Sequence, residues 1–148
     1  MSLLNTSPSN FTLLDQDSQK RSLTDLKGKK VLIVFYPKDE TPVCTAQLCS
    51  YSNSLSKFQS LGVEVLAINK DSIASHKQFQ KKYDLKFPLL SDEDGKVCEA
   101  FGMNGLLGTK RAVFLLDESG KIIYEHVEFV SLFYRKDEEL LLEIQKFL

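Results

Sequence analysis

The 148-residue sequence lacks the features that mark several large classes of protein. No apolar run approaches the ~20 residues that a membrane span requires, which predicts no membrane association. The 19 basic and 20 acidic residues leave a net charge of −1, so charge gives no reason to expect a nucleic-acid partner. The start, MSLLNTSPSN, contains no basic stretch followed by an apolar core. Because a secretory signal needs both, we expect a cytoplasmic protein.

Cysteine is scarce as well. Three cysteines are too few, and too odd a number, for a small domain held together by disulfides. In a chain without a visible export signal they are better interpreted as thiols available for chemistry or for metal. Hydrophobic residues at 43% and charged residues at 26% are ordinary values that exclude a disordered chain. The length predicts one domain over residues 1–148.

Patterns typical of strands and helices alternate in the first half of the chain. Residues 31–36 are wholly apolar and rich in β-branched side chains, which predicts a strand covered on both faces. Residues 41–61 predict an amphipathic helix, because apolar side chains recur there at steps of four and three. Residues 63–68 predict the next strand, and residues 72–83 predict a second helix.

The second half is more broken up. Residues 87–90 predict a short strand or a sheet edge because they contain a proline. Residues 102–108 hold three glycines, which predicts a loop. Residues 112–116 and 122–124 flank a glycine-bearing turn and predict a β-hairpin, and residues 136–148 predict a closing helix. Together these patterns predict a layered α/β fold with a mixed central β-sheet flanked by helices.

The segment before the first predicted helix places one cysteine in its first turn. Thr41 is a good N-cap residue, and Pro42 fits the first helical position, where a missing N–H costs nothing. Cys44 is then third in the helix, where unpaired N–H groups and the positive end of the helix dipole favour an anion. A thiolate is the reactive form of cysteine, and helix N-termini favour it. The alternative is a small core residue on an apolar helix face.

The helix terminus is not sufficient to hold a thiolate. Lowering the pKa of an ordinary thiol from ~8.5 to ~6 takes about 3.4 kcal/mol, whereas a helix terminus usually contributes ~0.3–1 kcal/mol. Asp39 and Glu40 would oppose ionisation if they pointed inward. A buried cation is therefore required. Arg111 is the candidate, because it opens an apolar strand and is expected at the end of the sheet.

A second cysteine, Cys49, follows five residues after Cys44. On an ideal helix this spacing puts the two Cα atoms about 8.6 Å apart, beyond the ~7 Å limit for a disulfide. The two thiols therefore cannot bond while the helix is intact. If they do bond, the first one or two turns must unwind. On spacing alone, an unremarkable surface thiol is an equally good interpretation of Cys49.

These residues resemble a known family. Pro37, Thr41 and Cys44 match the peroxiredoxin motif P-x-x-x-T-x-x-C after an apolar strand. The string FYPKDETPVCTAQLC is similar to the bacterioferritin comigratory protein or peroxiredoxin Q branch, in which a second cysteine follows five positions after the first. The similarity continues through LSDEDGKVCEAFG at 90–102 and RAVFLLD at 111–117, so it covers most of the chain.

The resemblance implies a thioredoxin-like fold and a thiol peroxidase that reduces hydrogen peroxide and organic hydroperoxides. Cys44 would be the peroxidatic thiolate and Cys49 the resolving thiol, joined in an intramolecular disulfide as in atypical two-cysteine peroxiredoxins. Thr41 and Arg111 would bind the peroxide oxygens, and Pro37 would shield the sulfur from water. A thioredoxin-type dithiol protein would reduce the disulfide. The cycle needs no metal or organic cofactor, and we expect a monomer or weak homodimer.

Two observations qualify this interpretation. Gln47 stands where the family often has glutamate, three residues after the reactive cysteine, although an amide still donates and accepts hydrogen bonds. The third thiol, Cys98, lies in an acidic segment that opposes thiolate formation. We interpret Cys98 as a structural residue, and it stays an alternative resolving thiol if helix unwinding brings Cys44 toward it.

Three other functions are compatible with parts of the sequence. A thioredoxin-like disulfide oxidoreductase normally needs Cys-x-x-Cys, which no pair of cysteines here provides. A zinc site could draw its ligands from the following cysteines and histidines: Cys44, Cys49, Cys98, His76 and His126. Its Cys-x₄-Cys spacing is at the loose edge of zinc motifs, and His76 is better interpreted as a packed core residue. A thioredoxin-fold binding or redox-sensing module without peroxidase turnover is the third.

Overall fold

The computed structural model describes residues 2–105, 108–130 and 132–148. Within these residues the strands, numbered along the chain, are β1 (Thr12–Leu14), β2 (Lys20–Ser22), β3 (Lys30–Phe35), β4 (Val63–Asn69), β5 (Leu89–Ser91), β6 (Asn104–Gly105), β7 (Gly108–Thr109), β8 (Ala112–Leu116) and β9 (Ile122–Val127). The α-helices are α1 (Pro42–Asn53), α2 (Leu55–Ser60), α3 (Ile73–Tyr83), α4 (Lys96–Ala100) and α5 (Asp137–Gln145), with a 3₁₀ helix at Leu23–Leu26.

One sheet organises the described chain. Its seven strands run in the order β2-β1-β5-β4-β3-β8-β9. Strand β4 pairs in parallel with β3 and β5, whereas β8 pairs antiparallel with β3 and β9. The prediction of a mixed sheet is therefore confirmed. Strand β3 is buried at every position, as the apolar run that begins at residue 31 predicts, and its first residue, Lys30, is buried as well.

The two faces of the sheet carry separate apolar clusters. Alternate residues of β3 divide between them, because successive side chains of a strand point to opposite faces. Leu32 and Val34 join the cluster that contains Cys44. Ile33 joins the cluster that contains Cys98. The sheet therefore lies between these two cysteines.

Several predictions of local structure need correction. The helix predicted over 41–61 is two helices, because Ser54 interrupts it with φ −102° and ψ 9°. The segment predicted as a possible edge at 87–90 supplies β5, which lies inside the sheet between β1 and β4; the proline precedes the strand and costs it no ladder hydrogen bond. The predicted closing helix ends at Gln145.

The glycine-rich segment at 102–108 is more ordered than the predicted loop. Asn104 pairs with Thr109, and Gly105 pairs with Gly108, in a short antiparallel ribbon. Residues 106 and 107 of the predicted loop lie outside the described residues. The hairpin of β1 and β2 has no counterpart among the predicted elements, because strands of three residues are too short to show a period.

Candidate active site

The pairing of β3 with β8 brings Arg111 close to the loop that precedes α1. Phe35, the last residue of β3, pairs with Ala112, the first residue of β8. Arg111 therefore lies level with the point where the chain leaves β3 and enters the loop at 37–41, which leads into α1. Val113, two residues after Arg111, packs in the same cluster as Cys44. The alternation of strand side chains accordingly directs Arg111 to the face of the sheet that carries Cys44.

Cys44 occupies the first turn of α1, as predicted. Thr41 is the N-cap residue and Pro42 the first helical residue, and Thr45 N–H donates to Thr41 O at 2.8 Å. The Cys44 side chain is buried, with 1% of its surface exposed. Arg111 Nη2 donates to Cys44 Sγ at 3.2 Å. The sulfur thus faces a guanidinium at the end of a helix where backbone N–H groups also favour negative charge.

Thr41 reaches its position without using its hydroxyl as a cap. Its Oγ1 donates to Lys38 O at 2.9 Å, a bond within the loop that precedes the helix. Pro37 lies in the same loop, directly after the buried Tyr36, and is partly exposed. Pro37 and Thr41 therefore lie on the segment that leads directly to Cys44, the residue that contacts Arg111.

Arg111 belongs to a chain of hydrogen bonds that the sequence analysis did not foresee. Its Nη1 donates to Gln47 Oε1. Gln47 Nε2 donates to the Tyr51 hydroxyl at 3.2 Å, and that hydroxyl donates to the backbone carbonyl of Arg135. Because a guanidinium has no acceptor, the Gln47 atom that faces it must be the oxygen. Every bond in the chain therefore has a fixed direction, from Arg111 outward to the segment before α5.

The two carboxylates near Cys44 are each held by partners. Asp39 is buried, and its carboxylate contacts Tyr36, which directly follows β3, as well as side chains of β4 and α3. Glu40 adopts φ 60° and forms an ion pair with Lys82 at 3.3 Å. Burial opposes ionisation of Asp39, but hydrogen bonds from His76, Tyr36 and Ser75 outweigh it and lower its pKa. Asp39 thus points inward, the orientation expected to oppose ionisation of Cys44, and four side chains contact its carboxylate.

Cys49 lies in the same unbroken helix as Cys44. Both are free thiols, and Cys49 is partly exposed. Burial of part of its side chain raises its pKa. The five-residue spacing within an intact helix keeps the two Cα atoms about 8.6 Å apart, as on the ideal helix. The described conformation is therefore the one in which Cys44 and Cys49 are separate.

Cys98 is remote from this arrangement. It is fully buried in the apolar cluster on the other face of the sheet. Burial and the neighbouring Asp92 carboxylate raise the pKa of the Cys98 thiol to about 12. The expectation that its acidic surroundings oppose a thiolate is confirmed. With the sheet between them, Cys98 is poorly placed to reach Cys44.

The two histidines lie in different places. His76 is fully buried on α3, as predicted, and bonds to Asp39 and to the carbonyl of Leu90. His126 is on β9, where Nε2 lies 2.9 Å from Glu128. Nowhere in the described part of the chain do three or more His, Cys, Asp or Glu side chains form a group that could hold a metal ion. None of the helices in the described residues is long and apolar enough to cross a membrane.

The sequence is similar to a known family and to several of its members. A family model described as the AhpC/TSA family matches residues 5–125. Peroxiredoxin Q, chloroplastic, of Oryza sativa subsp. japonica is 48% identical over 118 residues, which are 78% of this chain and 54% of the rice protein. This chain thus spans about half the length of that relative. Putative peroxiredoxin bcp of Coxiella burnetii is 45% identical over 76% of this chain and 80% of its own length.

Solved structures give the same result for the fold. A structure of Xanthomonas campestris peroxiredoxin Q is similar to this chain with a TM-score of 0.85 and 28% sequence identity. The similarity covers 92% of this chain and 90% of that one. The seven-stranded mixed sheet with its flanking helices is a thioredoxin-like α/β fold, which confirms the expectation drawn from the motif.

Proposed function

This chain belongs to the AhpC/TSA family, in its peroxiredoxin Q and bacterioferritin comigratory protein branch, and we propose that it is a thiol peroxidase. Its substrates are hydrogen peroxide and organic hydroperoxides. The observation that carries the proposal is the hydrogen bond from Arg111 to the Cys44 sulfur in the first turn of α1. That contact gives a buried thiolate a cationic partner and places donors where a peroxide must react.

In the first step the Cys44 thiolate attacks one oxygen of the peroxide. The S–O bond forms as the O–O bond breaks, the sulfur becomes a sulfenic acid, and the other oxygen leaves as an alkoxide or hydroxide that takes up a proton. Negative charge moves from sulfur to the leaving oxygen. Donors that face both atoms stabilise that movement, and the Arg111 guanidinium and the N–H groups of the first turn provide them.

Thr41 and Pro37 have supporting roles in this proposal. The Thr41 hydroxyl already gives its proton to Lys38 O. It therefore meets a peroxide as an acceptor, which suits the O–H group of a hydroperoxide. Pro37 has no N–H to hydrate and occupies the loop beside the helix start, a position suited to keeping water from the sulfur.

The second step joins Cys44 to Cys49. The Cys49 thiol attacks the sulfenic acid, a disulfide forms and water leaves. Because the two residues are five apart in α1, the helix must unwind at its first turns before the sulfurs can meet. Cys98 takes no part, since it lies across the sheet.

The cycle closes with an external dithiol. A thioredoxin-type protein attacks the disulfide, passes through a mixed disulfide, and leaves both thiols reduced. The proposal needs no metal and no organic cofactor. It treats residues 1–148 as one domain acting in the cytoplasm as a monomer or weak homodimer.

The test measures peroxide consumption with thioredoxin, its reductase and NADPH as the electron source. We expect the wild type to turn over, Cys44→Ser to be inactive, and Cys98→Ser to retain activity. Cys49→Ser should oxidise once and then fail to recycle through thioredoxin. A wild type that oxidises once without turnover would instead support a redox-sensing module. A wild type that does not react with peroxide would support a binding module without redox chemistry.

A further inference from the structure

Beneath the loop that precedes α1 lies a buried polar cluster that the proposed chemistry does not use. At its centre is the Asp39 carboxylate, with 6% of the residue exposed. Oδ1 accepts from the Tyr36 hydroxyl at 2.6 Å and from Asn69 Nδ2 at 3.2 Å. Oδ2 accepts from Ser75 Oγ at 2.8 Å and lies 2.6 Å from His76 Nδ1. The cluster thus ties the loop to Tyr36 at the end of β3, to β4 and to α3.

The hydrogen bonds of His76 determine how many protons the pair holds. Its Nε2 lies 3.1 Å from the backbone carbonyl of Leu90, which can only accept, so Nε2 carries a hydrogen. If Nδ1 were bare, its lone pair would face an ionised carboxylate at 2.6 Å, which is repulsive. One further proton must therefore lie between Nδ1 and Oδ2. The pair is an imidazolium and a carboxylate joined by a charge-assisted hydrogen bond.

The other charged groups around the pair favour keeping that proton. Asp71 adds a second carboxylate, which accepts the Asp39 backbone N–H at 2.7 Å and a bond from Asn69 at 3.1 Å. Burial and the Asp39 charge raise the pKa of Tyr36, so its hydroxyl remains a neutral donor. Glu40 and Lys82 form an ion pair near the surface, so their opposite charges offset each other. A charged His76 leaves this cluster with a net charge of −1, whereas a neutral His76 would leave it with −2.

We propose that Asp39 and His76 are positioning residues that hold the loop at 37–41 in the conformation that reacts with peroxide. The inference rests on the proposed function. Asp39 is two residues before Thr41, the N-cap of α1. While Asp39 is bonded to α3, the loop before α1 is fixed. Helix α1 then begins at the position that keeps Cys44 in contact with Arg111. When the bond is lost, the first turn of α1 is freer to unwind toward Cys49.

The Asp39–His76 pair therefore affects which of two reactions the Cys44 sulfenic acid undergoes. In the wound helix the sulfenic acid meets a second peroxide, which transfers an oxygen to give sulfinic acid and releases water or an alcohol. In the unwound helix it meets Cys49 and forms the disulfide. An intact pair favours the first encounter, and a broken pair favours the second.

The proton count is tested on the wild type alone, whatever its activity. In ¹⁵N NMR of the histidine-labelled reduced protein at pH 7, we expect both ring nitrogens of His76 to be protonated. His126, the other histidine beside a carboxylate, serves as the reference, with its signal assigned through His126→Asn. A bare Nδ1 on His76 would overturn the inference. Because this measurement does not involve peroxide, it separates failure of the pair from failure of the proposed function.

The positioning role is tested with His76→Asn, whose amide stands near the place of Nδ1 and carries no charge. We expect the rate constant for the reaction of Cys44 with peroxide to fall about tenfold. We also expect the peroxide concentration that converts half of the protein to sulfinic acid, seen as a mass increase, to rise about tenfold. His126→Asn is the matched control and should change neither value. A His76→Asn protein with both values unchanged, or with both lowered, would contradict the inference.

A pH series keeps the test specific. The sulfinic midpoint should rise with pH in both proteins as Cys49 ionises, and it should rise more steeply in the wild type, where Nδ1 can also lose its proton. The ratio between the two proteins cancels the ordinary pH dependence of Cys49, because both contain it. We expect this ratio to approach one above the pH at which NMR shows the Nδ1 proton to be lost. A ratio that stays constant across that pH would show that His76 acts only in packing.

Discussion

Arg111 Nη2 donates a hydrogen bond to Cys44 Sγ across 3.2 Å, although 67 positions separate the two residues in sequence. The second arm of the same guanidinium, Nη1, bonds Gln47, one turn further along α1. Two residues on one helix face thus hold both arms of a planar group. Because a guanidinium is planar and rigid, these two bonds fix its position beside the sulfur.

The Arg111→Lys variant tests this geometry. An ammonium keeps the charge but cannot present two parallel donors to Cys44 and Gln47. We expect kcat/KM for hydrogen peroxide to fall by about 10²–10³, the usual effect of removing one preorganised donor from an anionic transition state. Lys110→Met removes the adjacent, exposed basic residue and should leave kcat/KM unchanged. Equal losses in the two variants would indicate a general effect of charge.

Gln47→Met isolates the second bond. Methionine fills a similar volume but offers Arg111 no strong acceptor and Tyr51 no donor. We expect the rate constant of the first oxidation to fall about tenfold, since the guanidinium loses a hydrogen bond worth about 1.5 kcal/mol. Gln59→Met, at an exposed position of α2, is the control. An unchanged rate in Gln47→Met would mean that Arg111 is held by its other contacts.

Hydrogen exchange reports the unwinding of α1. The disulfide between Cys44 and Cys49 should remove protection from amides over residues 41–51, because the intact helix keeps the sulfurs apart. The loss should extend to residues 135–137, which are tied to α1 through the Tyr51 hydroxyl and through the bond from Ser54 to Asp137. Strand β4 should show no change. Equal protection of 41–51 in the reduced and oxidised proteins would contradict the unwinding step.

The buried thiol of Cys98 predicts a specific pH dependence of stability. Its pKa of about 12 in the folded protein lies above the ~8.5 of an unfolded cysteine, so its contribution is present below pH 8.5 and is lost as pH rises toward 12. The difference in unfolding free energy between wild type and Cys98→Ala should shrink by about 1.6 kcal/mol from pH 8.5 to 10. Urea unfolding at both pH values measures it. A constant difference would show that Cys98 titrates normally.

The position of Cys44 in the first turn of α1 was predictable because it depends on neighbouring residues in the sequence. Thr41 and Pro42 define a helix start through their own backbone preferences, so the third-residue position of Cys44 follows from neighbours in sequence. Arg111 was a candidate because it opens an apolar strand, but its contact with Cys44 depends on the antiparallel pairing of that strand with β3, which the sequence does not show. The motif then supplied the roles that geometry alone does not assign.

Contacts that depend on packing between distant elements were not predictable. The bond from Asp39 to His76 joins a loop to a helix 37 residues away, and no periodicity marks it. The placement of β5 inside the sheet depends on strand order, which the apolar pattern of 87–90 does not encode. The face on which Cys98 lies was equally inaccessible, because α4 is one short helix without a distinct stripe.

The most direct test of the whole account is a count of free thiols under denaturing conditions. Fully reduced protein has three, and one equivalent of hydrogen peroxide should lower the count rapidly to one, because one disulfide consumes two thiols. Peptide mass mapping should then find Cys44 joined to Cys49 and Cys98 free. A count that stays at three for minutes would contradict the account, since it would show that Cys44 is not an activated thiolate.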